Sequence, residues 1–314
     1  MKVAVTGATG FLGTPLIKKL GITFSNKSIF PVLRQSTSVF DEYSPIVVDD
    51  INSITDWSDK LHGIDCVIHC AARVHVMNEV DEEPLEAFRE INVRGTLELA
   101  ESAAKSGVKR FIFVSSIKVN GESTEEGRPF KFDDKHNPLD PYGLSKSEAE
   151  TALFELGKKS GMEIVVIRPP LVFGEGVKAN FAALLRLVGK GLPLPFRCIT
   201  QNKRSMVSVY NLVDLIKTCI EHPNAANQVF LASDDNDFST SEIVALMAKV
   251  QGKRNFALPV PVWCFDLAAK LLNKQDVVNR LSGSLQLDIE HTKHTLNWKP
   301  PYSVEHGFRL AVKK

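Results

Sequence analysis

The chain has 314 residues, of which 44% are hydrophobic and 24% charged, with a formal net charge of +1. Such a composition supplies a sizeable core for one compact unit or two closely joined domains. It excludes a dedicated nucleic-acid binder, which would need a basic face, and no apolar run approaches the ~20 residues that cross a bilayer. Cys66, Cys70, Cys198, Cys219 and Cys264 are odd in number and lack metal-ligand spacing. They read as small thiols in a reducing compartment, with no metal site expected. The chain opens directly on the strand-like Lys2-Val3-Ala4-Val5, so a cytoplasmic location is expected.

In chain order, the apolar runs Val3–Val5, Ile29–Leu33, Ile46–Val48, Cys66–His69, Phe111–Val114 and Ile164–Ile167 read as buried strands. Helical patterns cover Phe11–Leu20, Pro84–Ser106 (ended by Gly107) and Tyr142–Lys159. Strands alternating with helices mean a parallel sheet with right-handed crossovers, and near-continuous Val and Ile mean strands covered on both faces. A loop rich in charge, Gly and Pro spans Gly121–Pro141. Beyond Arg168-Pro169-Pro170 the pattern loosens. Helices are expected at Phe181–Lys190, Leu212–Glu221, Thr240–Gln251 and Val262–Leu272, with Ile289–Trp298 as the last, and strands at Val207–Val209 and Gln228–Ala232. The fold class is therefore α/β: a Rossmann-type doubly wound parallel sheet with a smaller C-terminal α/β domain. The expected division is residues 1–170, with segments near 205–232 returning to the sheet, and a discontinuous second domain within 171–314.

Thr6-Gly7-Ala8-Thr9-Gly10-Phe11-Leu12-Gly13 joins the first strand to the first helix. Gly7 permits a tight turn, Gly10 lets backbone approach a pyrophosphate, and Gly13 permits close helix–strand packing. The helix N-terminus offers N–H groups to the anion. At the end of the second strand stands Arg34, with no acid, which leans toward NADP over NAD; the alternative is a solvated Arg34 with NAD in use. Asp50 is placed to meet an adenine amino group, or else serves as a turn residue.

Tyr142 and Lys146 lie four apart at a helix start and so share a face. An ammonium beside a phenol should pull the phenol pKa down toward the working pH, as a group exchanging an alcohol proton requires. Ser116, past the fifth strand, can hold a substrate oxygen near Tyr142. Asn92 is an unfavourable residue inside a helix, which suggests a polar network.

The glycine loop, Ile68-His69-Cys70-Ala71-Ala72, Asn92, Ser116 and the Tyr142/Lys146 pair together resemble the extended short-chain dehydrogenase/reductase family. This group is also called the NAD-dependent epimerase/dehydratase family. The resemblance implies a catalytic tetrad of Asn92, Ser116, Tyr142 and Lys146. It implies cofactor contacts at Gly7, Thr9, Gly10, Phe11, Leu12, Gly13, Arg34, Asp50, Ile51, Cys70, Ala71, Ala72, Ser115 and Pro169, besides Tyr142 and Lys146. It also implies a homodimer formed through the helices near 84–106 and 142–159.

The second half is similar to family stretches that hold a nucleotide diphosphate. Arg204, in Lys203-Arg204-Ser205-Met206-Val207, and Asn180 match them, and Arg suits phosphate through its planar fork. Arg280 is a further candidate for the nucleotide, and Lys118 for a sugar substituent or phosphate. A 4,6-dehydratase is disfavoured because Ile117-Lys118 replace the Asp-Glu pair that elimination of water would use. A cofactor-sensing module has no need of Ser116, Tyr142 and Lys146. Two reactions at C4 of a UDP-linked hexose or N-acetylhexosamine remain, as in bacterial polysaccharide clusters. One is 4-keto reduction, slightly favoured by Arg34; the other is 4-epimerisation with tightly held NAD.

Overall fold

The structure is a computed structural model that describes residues 1–74, 84–272 and 275–312. Its centre is a seven-stranded sheet in the order β3-β2-β1-β4-β5-β6-β9, parallel throughout. These strands are β1 (Val3–Thr6), β2 (Ile29–Leu33), β3 (Ile46–Val47), β4 (Cys66–His69), β5 (Arg110–Val114), β6 (Glu163–Arg168) and β9 (Gln228–Leu231). A smaller sheet joins β7 (Leu171–Phe173), β8 (Arg204–Ser208) and β10 (Asp237–Phe238), with β7 parallel and β10 antiparallel to β8.

Strand periodicity divides the apolar residues between two cores. Val3, Val5, Ile112, Val165 and Ile167 face α1 (Gly13–Thr23) and α6 (Val209–Glu221), meeting Leu16, Ile17, Leu20, Leu212 and Ile216. Ala4, Phe111, Phe113, Ile164 and Val166 face α3 (Thr96–Lys105) and α4 (Pro141–Ser160), meeting Leu99, Ala103, Ala149 and Leu153. Alternation over two covered faces is why these strands are apolar through their middles, with polar residues such as Thr6, His69, Arg110 and Arg168 at their ends. A third core under the small sheet gathers Phe173, Phe181, Met206, Val244, Met247 and Phe308.

α4 is punctuated at both ends. Asp140 accepts the Gly143 amide at 2.6 Å, Pro141 follows at the first helical position, and Gly161 closes the helix in the left-handed region at φ 78°. α7 (Thr240–Val250) begins with a capping box between Ser239 and Glu242. The remaining helices are α2 (Pro84–Arg89), α5 (Ala179–Gly189), α8 (Val262–Leu272), α9 (Gln275–Ser282), α10 (Glu290–Leu296) and α11 (Val304–Val312).

Several sequence expectations need correction. Residues 84–105 do not form one regular helix, because a π turn over Glu90–Gly95 joins α2 to α3. Ile289–Trp298 is not the last helix: Asn297, at φ 46°, turns the chain and α11 follows, burying Val304 and Phe308. The short strand expected at Val207–Val209 is Arg204–Ser208, because Ser208 caps α6 by accepting the Asn211 amide. Within the span expected to return to the sheet, β9 does so, whereas β8 lies in the small sheet. Among the described residues, no helix is long and apolar enough to cross a membrane.

Candidate active site

The strand order reverses between β1 and β4, which places a crevice at the C-terminal ends of these strands. The glycine loop occupies it. Gly7 sits at φ 66°, and a Cβ there would lie 2.8 Å from the Ala71 nitrogen. A Cβ on Gly13 would lie 2.1 Å from the Gly7 carbonyl oxygen. No side chain caps α1, and its Thr14 and Leu16 amides donate to the backbone carbonyls of Gly10 and Leu12, each at 3.1 Å, which draws the glycine loop tightly onto the helix start. A tight backbone cradle at a helix N-terminus fits a dinucleotide pyrophosphate. Thr9 and Gly10 are exposed at its mouth.

The opposite wall is the loop after β4. His69 is buried and held between Thr6 Oγ1 (2.7 Å) and Thr96 Oγ1 (2.9 Å). Burial takes its pKa down to about 3, with Lys146 adding to the effect, so it is a neutral strut. The Thr6 hydroxyl also accepts the Ala71 amide at 3.2 Å. Ala71, Ala72 and Cys70 are half-buried along this wall, where burial raises the Cys70 thiol to about 12. Such a thiol packs and does not react.

The residues expected to react stand beyond. The phenol of Tyr142 lies beside the Ser116 side chain, and its ring meets Phe88 edge-on, with centroids 6.0 Å apart. Lys146 is buried. Its ammonium donates to the Val114 carbonyl at 2.9 Å and lies 4.3 Å from the centre of the Phe113 ring. The expected pull of Lys146 on the phenol is absent in the free protein. Burial raises the Tyr142 pKa to about 12, Asp140 adds to this, and only the Ser116 hydroxyl opposes it. Lys146 itself falls to about 8 through burial, against the attraction of Glu150 and Cys70. Withdrawal from water outweighs the pairing that the four-residue spacing suggested.

Asn92 lies in the π turn, which aims it inward. Its side-chain oxygen accepts the Arg73 amide at 2.9 Å, and its nitrogen donates to the Arg73 carbonyl and the Ser145 hydroxyl, each at 3.0 Å. It thus ties the β4 loop to the Tyr142 helix and acts as a positioning residue. Ser115 offers no free hydroxyl to a cofactor, since it is buried and donates to Glu150. Lys118 is paired with Asp140 and Glu122, so carboxylates already hold it. Asp50 turns one oxygen to the Ile51 amide at 2.8 Å, as a turn residue does. Ile51 is buried, and Pro169 is buried with its carbonyl accepting the Ile117 amide at 3.0 Å. Arg34 is exposed at the end of β2.

The sequence reading missed a buried polar cluster beneath this site. Arg168 grips Glu150 through Nε and Nη2, at 2.6 to 3.1 Å. Nη1 donates to the Asn120 side-chain oxygen at 3.0 Å, and Nη2 also meets His136 Nε2 at 2.7 Å. The available signals were Glu150, one turn past Lys146, and Arg168, the charged residue that closes the apolar β6. In the second half, Arg204 is largely buried, donates to the Gly283 carbonyl at 3.0 Å, and has its pKa lowered by that burial. Asn180 is exposed at the start of α5, and Arg280 is exposed on α9.

Residues 3–232 match the profile of the NAD dependent epimerase/dehydratase family. The chain belongs to that family. The protein is 55% identical over 310 residues to a UDP-glucose 4-epimerase of Vibrio cholerae, covering 99% of this chain and 94% of that one. It is 28% identical to an N-acetyl-α-D-glucosaminyl-diphospho-ditrans,octacis-undecaprenol 4-epimerase of Escherichia coli O157:H7, covering 97% and 92%. The fold matches the UDP-glucuronic acid 4-epimerase of Bacillus cereus with TM-score 0.78, at 22% identity over 99% of this chain and 95% of that one.

Proposed function

We propose that the protein is a sugar-nucleotide 4-epimerase that keeps its NAD bound and interconverts UDP-linked hexoses or N-acetylhexosamines at C4. The observation that carries the reading is the Tyr142 phenol set beside Ser116, on the same helix as buried Lys146, together with a glycine cradle at the C-terminal ends of the parallel strands. The 55% likeness to a UDP-glucose 4-epimerase across 99% of the chain supports epimerisation over reduction. Bound NAD would supply a reversible hydride acceptor and a positive ring, which favours ionised Tyr142. Ser116 holds the sugar hydroxyl, and Tyr142 takes its proton as the C4 oxygen becomes a carbonyl and returns it as the alcohol re-forms. Lys146, its charge supported by Glu150, ties the Tyr142 helix to the Val114 carbonyl. Arg204 and Asn180 would hold the diphosphate and Arg280 the nucleoside. A homodimer and a cytoplasmic location accompany this reading.

A second reading, NADP-dependent 4-keto reduction, is favoured by exposed Arg34 at the end of β2, which suits a 2′-phosphate. The deciding experiment incubates purified protein with UDP-glucose, UDP-galactose and their N-acetyl counterparts without added cofactor. Epimerisation supports the first reading. Turnover of a 4-keto sugar only with consumption of NADPH supports the second.

A further inference from the structure

On the C-terminal lobe, α8 turns a hydrophobic face outward. Trp263, Leu267 and Leu271 are 65%, 54% and 79% exposed and fall on one side of the helix at intervals of four. The opposite side is anchored, with Phe265 stacked on Phe196 at 6.1 Å and Ala269 buried. Phe256 and Leu258 extend the apolar surface. They lie on the segment whose backbone pairs with Leu194, beside exposed Leu192. Single exposed apolar residues are ordinary, but a run of this kind on one lobe marks a surface with a partner.

The charge around it points to the partner. Between Lys253 and Leu271, the stretch that carries the apolar residues, the sequence has Lys253, Arg254 and Lys270 against Asp266, a local +2 in a chain of net +1. Lys253, Arg254 and Lys270 are exposed. A second copy of the same face would bring like charges together. An anionic membrane surface instead takes up the apolar residues while its headgroups neutralise the rim, and Trp suits the boundary between them.

We propose that α8, with Phe256 and Leu258, docks the protein on an anionic lipid bilayer as an interfacial helix. α8 packs against α9, whose following Gly283 accepts Arg204. Docking therefore places the lipid surface beside the end of the site where a diphosphate would be held. The inference does not depend on which reaction the site performs.

The test is flotation of the full-length protein with phosphatidylcholine vesicles containing roughly one-third phosphatidylglycerol. Trp57 and Trp298 are buried, at 1% and 5% exposure, so Trp263 is the tryptophan able to report transfer from water. The expected result is flotation that weakens at high salt or without phosphatidylglycerol, with a blue shift of emission. The double substitution Trp263→Ser, Leu271→Ser should lower partitioning about tenfold or more while leaving circular dichroism and epimerase activity in free solution unchanged. Absence of flotation, or equal flotation of the double variant, overturns the proposal. So does a dimer that the same substitutions dissolve, since the occupant is then a second copy.

Discussion

Glu150 stands one helical turn beyond Lys146 and favours its charged form, while Arg168 holds Glu150 from the other side. Burial pulls Lys146 down to about 8, and Glu150 resists that pull. Glu150→Gln removes the opposing charge, so Lys146 loses its proton at a lower pH. The alkaline limb of kcat/KM should move to lower pH, a change that a purely structural role would not produce. The same substitution strands the Arg168 guanidinium, at a cost of about 3–5 kcal/mol. Urea unfolding and a pH–rate profile measured on one preparation separate the two effects.

Tyr142→Phe should lower kcat about 10²–10⁴-fold, the range associated with losing a general acid–base group. Binding of nucleotide should survive, because the cradle is built of backbone from Gly7, Gly13 and Ala71. Titration of cofactor and UDP into the variant checks the second half of this expectation.

Gly13→Ala tests the cradle directly. The added carbon meets the Gly7 carbonyl at 2.1 Å and the Ala8 Cα at 2.9 Å, both backbone. Neither can move without shifting the loop. Retained cofactor in purified protein should fall sharply, with a loss of stability of about 1–3 kcal/mol from overpacking.

Asp234 gives a pH signature of stability away from the reaction. Burial raises its pKa from 3.8 to about 6, against bonds from Asn211 and the Ser208 amide. A raised folded-state value in an acid means that the folded protein binds the proton more tightly than the unfolded chain. Its contribution is therefore fully present below about 4 and is lost as pH rises toward 6. Asp234→Asn should remove this slope and be the more stable protein at pH 7, by up to about 3 kcal/mol. Thermal unfolding of both proteins across that range is the check.

Much of the fold was legible because two-sided burial leaves a strong mark. Val3–Val5, Cys66–His69 and Ile164–Ile167 carry almost no polar residues, and the sheet places each where alternation requires. The smaller lobe was harder. β7 is three residues long and β10 two, too short for any period to show. α11 follows a turn at Asn297 that a Pro-Pro segment disguises. Within the site, Gly7, Gly13, Ser116, Tyr142 and Lys146 could be read because their chemistry is tied to spacing. Asn92 was read as polar, but its partners, Arg73 and Ser145, depend on the π turn. The Arg168–Glu150–His136 cluster joins residues from β6, α4 and the loop that precedes α4, a meeting that only the folded chain reveals.

The central claim is hydride transfer that begins and ends on one retained cofactor at the Tyr142–Ser116 site. The most direct measurement is single-turnover incubation of UDP-glucose deuterated at C4 with purified protein and no added nucleotide. The account predicts UDP-galactose that keeps its deuterium at C4, with about one NAD per chain recovered on denaturation. Product that has lost the label, or no product until NADPH and a 4-keto sugar are supplied, would contradict it.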